Sequence, residues 1–99
     1  MVKLAILYKQ PASAPAFELN YNQNLALMER MPGIRRRQAC TVLGSPSGTS
    51  RFYRILELYF DDNDALDHAL RSPEGQAAGA DLMRFAPNAE LIFADVYED

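Results

Sequence analysis

A chain of 99 residues, 48% apolar and 23% charged, folds as one domain with a single core and is too rich in apolar groups to remain disordered. Its formal net charge of −3 gives no electrostatic reason to bind nucleic acid or an anionic membrane, and the basic run Arg35-Arg36-Arg37 is too short to reverse that. Cys40 is the only cysteine, so an internal disulfide is excluded, and with no signal-like start the expected compartment is the reducing cytoplasm.

Val2 to Lys9, "VKLAILYK", is rich in β-formers. Val2, Leu4, Ile6 and Tyr8 share one face and Lys3, Ala5, Leu7 and Lys9 the other, a pattern that predicts a central strand covered on both sides. The run is far too short to cross a bilayer. "QPASAP" breaks it, and Pro15 suits the first turn of a helix. The next helix is expected from Pro15 to Met31. With successive residues about 100° apart, its apolar arc holds Phe17, Tyr21, Leu25, Leu27, Met28 and Met31, and Asn20 and Asn24 fall inside that arc. Pro32 stops the helix and Gly33 supplies a left-handed turn.

Ile34 to Gly44 reads as a second strand, whose three arginines place it at a sheet edge. "GSPSGTS" (44–50) is a hairpin loop, and Arg51 to Phe60 a third strand with apolar groups on both faces. "DDND" (61–64) starts a helix that turns Ala65, Leu66, Ala69 and Leu70 inward and ends near Arg71. The run lacks the spaced ligands and central glycine of a calcium loop. Ser72, Pro73 and Glu74 open another helix, with Ala77, Ala78, Leu82 and Phe85 on its apolar stripe. Glu90 to Tyr97 is the last strand.

This order predicts an α+β, ferredoxin-like βαββαβ fold, with a four-stranded antiparallel sheet and a second helix split in two. The first and third strands would be central, and both helical segments would cover one face. The other face would then carry a bare apolar patch of roughly several hundred Å², more than a monomer usually exposes. A second copy packed sheet to sheet is the simplest cover, so a homodimer through the open sheet face is predicted.

No Gly-rich phosphate loop, GxGxxG or GxSxG occurs. One histidine and one cysteine, far apart in sequence, argue against a zinc site, and neither a metal nor another cofactor is expected. His68 lies roughly 160° from Leu66 and Leu70 on its helix and reads as a surface residue. Arg36 and Arg54 could neutralise an anionic substrate, but the plainer reading is an edge-strand charge and an interface or surface arginine. Cys40 reads as a small apolar filler.

Taken together, "VKLAILYKQP", "MERMPGIRR", "YRILELYFDD", "SPEGQAAGADL" and "LIFADVYE" resemble the EthD family over nearly the whole chain. The resemblance implies a single EthD-like domain over residues 1–99, pairing into a dimeric α/β barrel with a cavity between sheet and helices in each protomer. The family is named for a protein needed for ether degradation alongside an oxygenase, and it is similar in architecture to small barrel monooxygenases and isomerases. Its members commonly carry a tyrosine, a histidine and then "xPL" on the first helix. In this sequence the histidine position falls on Asn24, the proline position on Ala26 and the tyrosine position on Asn20, with Tyr21 one residue later. Asparagine can donate and accept hydrogen bonds but cannot titrate, so an acid–base group is lost there.

The expected cavity residues are therefore Tyr8, Asn20, Tyr21, Asn24 and Met28. For the two asparagines the alternative is a pair of amides satisfied by backbone or water, and for the two tyrosines it is ordinary amphipathic packing. The functional expectation is a protein that binds a small hydrophobic or aromatic metabolite in an accessory role in catabolism or oxygenation. The alternative is a cofactor-independent monooxygenase or isomerase.

Overall fold

The computed structural model describes residues 1–97, so Glu98, the end of the "LIFADVYE" stretch, and Asp99 lie outside the described residues. In chain order the elements are β1 (Val2–Lys9), α1 (Ala14–Met28), β2 (Arg36–Thr41), β3 (Phe52–Phe60), α2 (Asn63–Arg71), α3 (Pro73–Phe85) and β4 (Glu90–Asp95). The four strands form one antiparallel sheet in the order β2-β3-β1-β4. This is the α+β arrangement expected, with β1 and β3 central. The Cα envelope is only 17 Å across its thinnest direction, enough for one sheet and one helix layer.

Alternation along the strands decides where the core lies. Val2, Leu4, Ile6 and Tyr8 of β1 stand opposite Phe60, Leu58, Leu56 and Arg54 of β3, on the face that carries the helices. Phe17, Tyr21 and Met28 of α1, Leu66 and Ala69 of α2, and Ala78 and Leu82 of α3 close over them. α1 is shorter than its apolar arc suggested. After Met28, bonds from Arg30 N to Leu27 O and from Met31 N to Met28 O tighten the chain into a turn. Gly33, at φ +83°, then takes the left-handed conformation that a side chain resists.

The break between α2 and α3 is made by Ser72. It follows α2 and caps α3, its hydroxyl donating to the Ala69 carbonyl at 2.6 Å and accepting from the Gly75 amide at 3.0 Å. Gly75 is buried against α2, where a Cβ would meet the Ala69 carbonyl oxygen at 2.1 Å. Asp62 caps α2 by accepting from the Ala65 amide, so "DDND" is a helix start.

The open face of the sheet is not the bare apolar patch expected from alternation. Leu7, Ile55 and Ile92 do lie there, but Lys3 is paired with Glu57, Tyr59 is within hydrogen-bonding distance of Gln38, and the Arg36 guanidinium sits 5.2 Å from the Tyr59 ring centroid. The Glu57 carboxylate holds the Lys3 ammonium above its ordinary value. Polar and apolar groups thus share this face, the apolar ones gathered next to the Leu7–Ile55 pair. On the helix side, β4 is barely covered, and Phe93 is 62% exposed. Among the described residues, no helix is long and apolar enough to cross a membrane.

Candidate functional site

At the C-terminal end of β1 the sheet, the start of α1 and the end of α3 diverge. The chain leaves β1 at Lys9 and runs through Gln10 and Pro11 to Ser13, whose side chain caps α1 by accepting from the Ala16 amide. Gln10 fastens this loop to β3, its amide nitrogen donating to the carbonyls of Ser50 and Phe52. On the other side α3 ends at Phe85 and the chain turns through Ala86, Pro87 and Asn88 into β4. Between these loops and the first turns of α1 lies an open hollow of about 490 Å³.

Tyr8 is the most deeply buried residue of its lining, at 1% exposure. Its ring meets Phe17 edge-on at 5.4 Å and Tyr21 edge-on at 5.5 Å, and lies nearly parallel to Phe85 at 6.4 Å. Among the described residues its hydroxyl, itself shut off from solvent, has no hydrogen-bond partner, and neither does that of Tyr21. Burial raises both phenols above their ordinary value, Tyr8 the more strongly.

Arg54 stands beside this cluster. The pairing of β1 with β3 shifts after Tyr8, which faces Arg54 while Lys9 faces Phe52, so Tyr53 is the extra residue of a bulge. Arg54 and Tyr53 both reach α1. The guanidinium makes two bonds to the Glu18 carboxylate, the shorter 2.6 Å, and lies 4.5 Å from the centroid of the Tyr21 ring, while the Tyr53 hydroxyl donates to Glu18. Arg54 holds the Glu18 carboxyl below its ordinary value. With only 14% of its side chain exposed, Arg54 is neither a surface nor an open-face arginine. Simple alternation cannot show a bulge, and no local signal in "RFYRILELYF" marks one.

The five expected cavity residues part company. Tyr8 and Asn20 line the hollow, and the Asn20 amide nitrogen is committed to the Ala16 carbonyl one turn back. Tyr21 lies behind Tyr8 and against Arg54. Asn24 is turned toward α3, where its amide nitrogen donates to the Ala78 carbonyl and to Asp81, both at 3.0 Å. Met28 is packed in the core. Gln10, Pro11, Phe85 and Pro87 also line the hollow, although none was among the expected cavity residues. The signal was available, because an antiparallel β1–β4 pair brings "QPASAP" and "APN" to the same end of the sheet. His68 is exposed on α2, and Cys40 is half-buried on β2.

An EthD domain model matches residues 9–88 of this sequence. The chain belongs to the EthD family. An uncharacterized 11.0 kDa protein from the thcB–thcC intergenic region of Rhodococcus erythropolis is 33% identical to it, over 96% of this chain and 94% of that protein. The crystal structure of an EthD family protein from Bacillus halodurans superposes with a TM-score of 0.95 at 39% identity, covering 98% of this chain and 99% of the other. SnoaB, a cofactor-independent oxygenase from Streptomyces nogalater, shares the fold at 16% identity and a TM-score of 0.72, over 99% of this chain and 94% of its own. Further solved relatives in fold are dimeric ferredoxin-like proteins.

Proposed function

We propose that this EthD protein is a cytoplasmic homodimer that binds a small hydrophobic or aromatic metabolite in the hollow above Tyr8, in an accessory role in catabolism or oxygenation. The observation that carries the reading is the hollow itself. Its 490 Å³ falls in the range that encloses small ligands, and rings from Tyr8, Phe17 and Phe85 offer flat apolar surface. Its lining holds no carboxylate, imidazole or thiol among the described residues, and its charged group is the Lys9 ammonium. Dimerisation through the open face is supported by the dimeric relatives in fold and by the apolar side chains Leu7, Ile55 and Ile92 on that face.

A second reading is a cofactor-independent oxygenation or isomerisation in the same hollow. The fold shared with SnoaB, a cofactor-independent oxygenase, favours it. Native mass spectrometry of the protein purified from its own cells tests the first reading. The expected spectrum shows twice the chain mass carrying a retained small molecule. A monomer at micromolar concentration would contradict the dimer, and an empty protein that takes up no ring compound would contradict the binding role. Conversion of the retained molecule by the purified protein alone would favour the second reading.

A further inference from the structure

We infer that the guest is an organic acid: the hollow takes a ring compound bearing one carboxylate, which pairs with the Lys9 ammonium while the ring lies against Phe17 and Phe85. The inference rests on the ligand-binding reading above and adds the charge of the ligand. Lys9 ends β1, lines the hollow and is half-buried. Lys3, on the same strand, is paired with Glu57, and Arg54 with Glu18. Among the described residues no carboxylate stands within ion-pair distance of Lys9. Its flexible four-carbon stem is therefore free to lay the ammonium across the mouth of the hollow.

No fixed negative charge opposes an anion there. Among the described residues the lining contributes no carboxylate, and the first turn of α1, which borders the hollow, has no acidic residue, whereas α2 and α3 carry Asp64 and Glu74 in theirs. Ser13, also in the lining, accepts from the Ala16 amide and keeps its own hydroxyl hydrogen to donate. Desolvation then decides the charge of the guest. A neutral molecule filling this volume strips water from the ammonium and returns nothing, whereas a carboxylate replaces the lost hydration with a charge-assisted bond. The lining supplies one cation, which suits a single carboxylate rather than a doubly charged phosphate.

The test uses two probes with one fused ring skeleton, tetralin-1-carboxylate, an anion at neutral pH, and the neutral ketone α-tetralone. Both are titrated calorimetrically into the wild-type protein and into Lys9→Gln. The ratio of acid to ketone affinity should fall about three- to tenfold in the variant, the effect of one partly exposed charge-assisted bond, with α-tetralone binding retained. An unchanged ratio would overturn the inference and leave the binding reading standing, whereas failure of both probes to bind would overturn both. A measurement on the wild-type protein alone guards against a variant that folds poorly. Raising the ionic strength should weaken binding of the acid and leave that of the ketone nearly level, and equal salt responses of the two probes would contradict the ion pair.

Discussion

The helix layer is built on different terms at its two ends, and α3 runs from one to the other. Where α2 gives way to α3, the Ser72 hydroxyl both donates and accepts, and Gly75 lets two helices approach within less than a side chain's width. Where α3 ends, at Phe85, the hollow opens and the hydroxyls of Tyr8 and Tyr21 are buried without partners. Saturated hydrogen bonds with close backbone packing mark a region selected for stability. An open volume walled by aromatic rings marks one that keeps its capacity for something else. Within α1, Asn20 lines the hollow, whereas Asn24, one turn later, donates to α3 and keeps its own Oδ1 buried without a partner among the described residues.

The strongest way to break the stable end is Gly75→Ala. Its new methyl would meet backbone oxygens of Ala69 and Leu70 that cannot move without bending α2, so chemical denaturation should show a loss of about 3 kcal/mol. Asn24→Ala removes two bonds across the α1–α3 seam and leaves the Ala78 carbonyl without this donor. A loss of about 2 kcal/mol is expected, with binding in the hollow retained. Ser72→Ala should cost about 1.5 kcal/mol through the lost cap of α3.

At the other end the sign reverses. Tyr8→Phe removes a hydroxyl that nothing satisfies, and the ligand-free protein should gain about 1 kcal/mol, seen as a higher melting temperature. That reversal is the sharpest form of the contrast.

Acid provides the smallest effect. The Arg54 guanidinium holds the Glu18 carboxyl below its usual 4.5, and the Asn24 amide, with help from Arg84, holds that of Asp81 below its usual 3.8. Both groups have folded values below their unfolded ones. Their contribution is therefore full above the unfolded values and is lost as pH falls through the folded ones. Exposure of Glu18 limits its share to about half a kcal/mol. Melting temperature should stay level from neutral pH down to about pH 5 and decline below about pH 4, with a shallower decline in Asn24→Ala.

Much of the fold was legible because it follows from periodicity and punctuation. The alternating strand Val2–Lys9, the stop at "MPG", the caps at Asp62 and Ser72 and the edge position of the arginine-rich strand are all local signals. The site was legible only in part. Helical angles put Asn20 and Asn24 on one apolar arc, but they do not say which neighbour each will meet, because that depends on where α3 crosses α1. Arg54 was misplaced although alternation sets it on the face of Leu56 and Leu58, and what the bulge moved without a sequence mark is Tyr53, which joins it on the helix side. The open face was read as apolar because alternation counts side chains singly. The Lys3–Glu57 pair and the Tyr59 cluster depend on which residues stand opposite one another across three strands.

The central claim is that the hollow at the Tyr8 end receives a guest while the Ser72 end only holds the fold together. Backbone amide shifts of isotopically labelled protein, followed by NMR during titration with α-tetralone, address it directly. Saturable shifts confined to residues 8–20 and 85–89 are predicted, with 72–78 unmoved. Shifts centred on the α2–α3 junction, or scattered without saturation over the surface, would contradict the account.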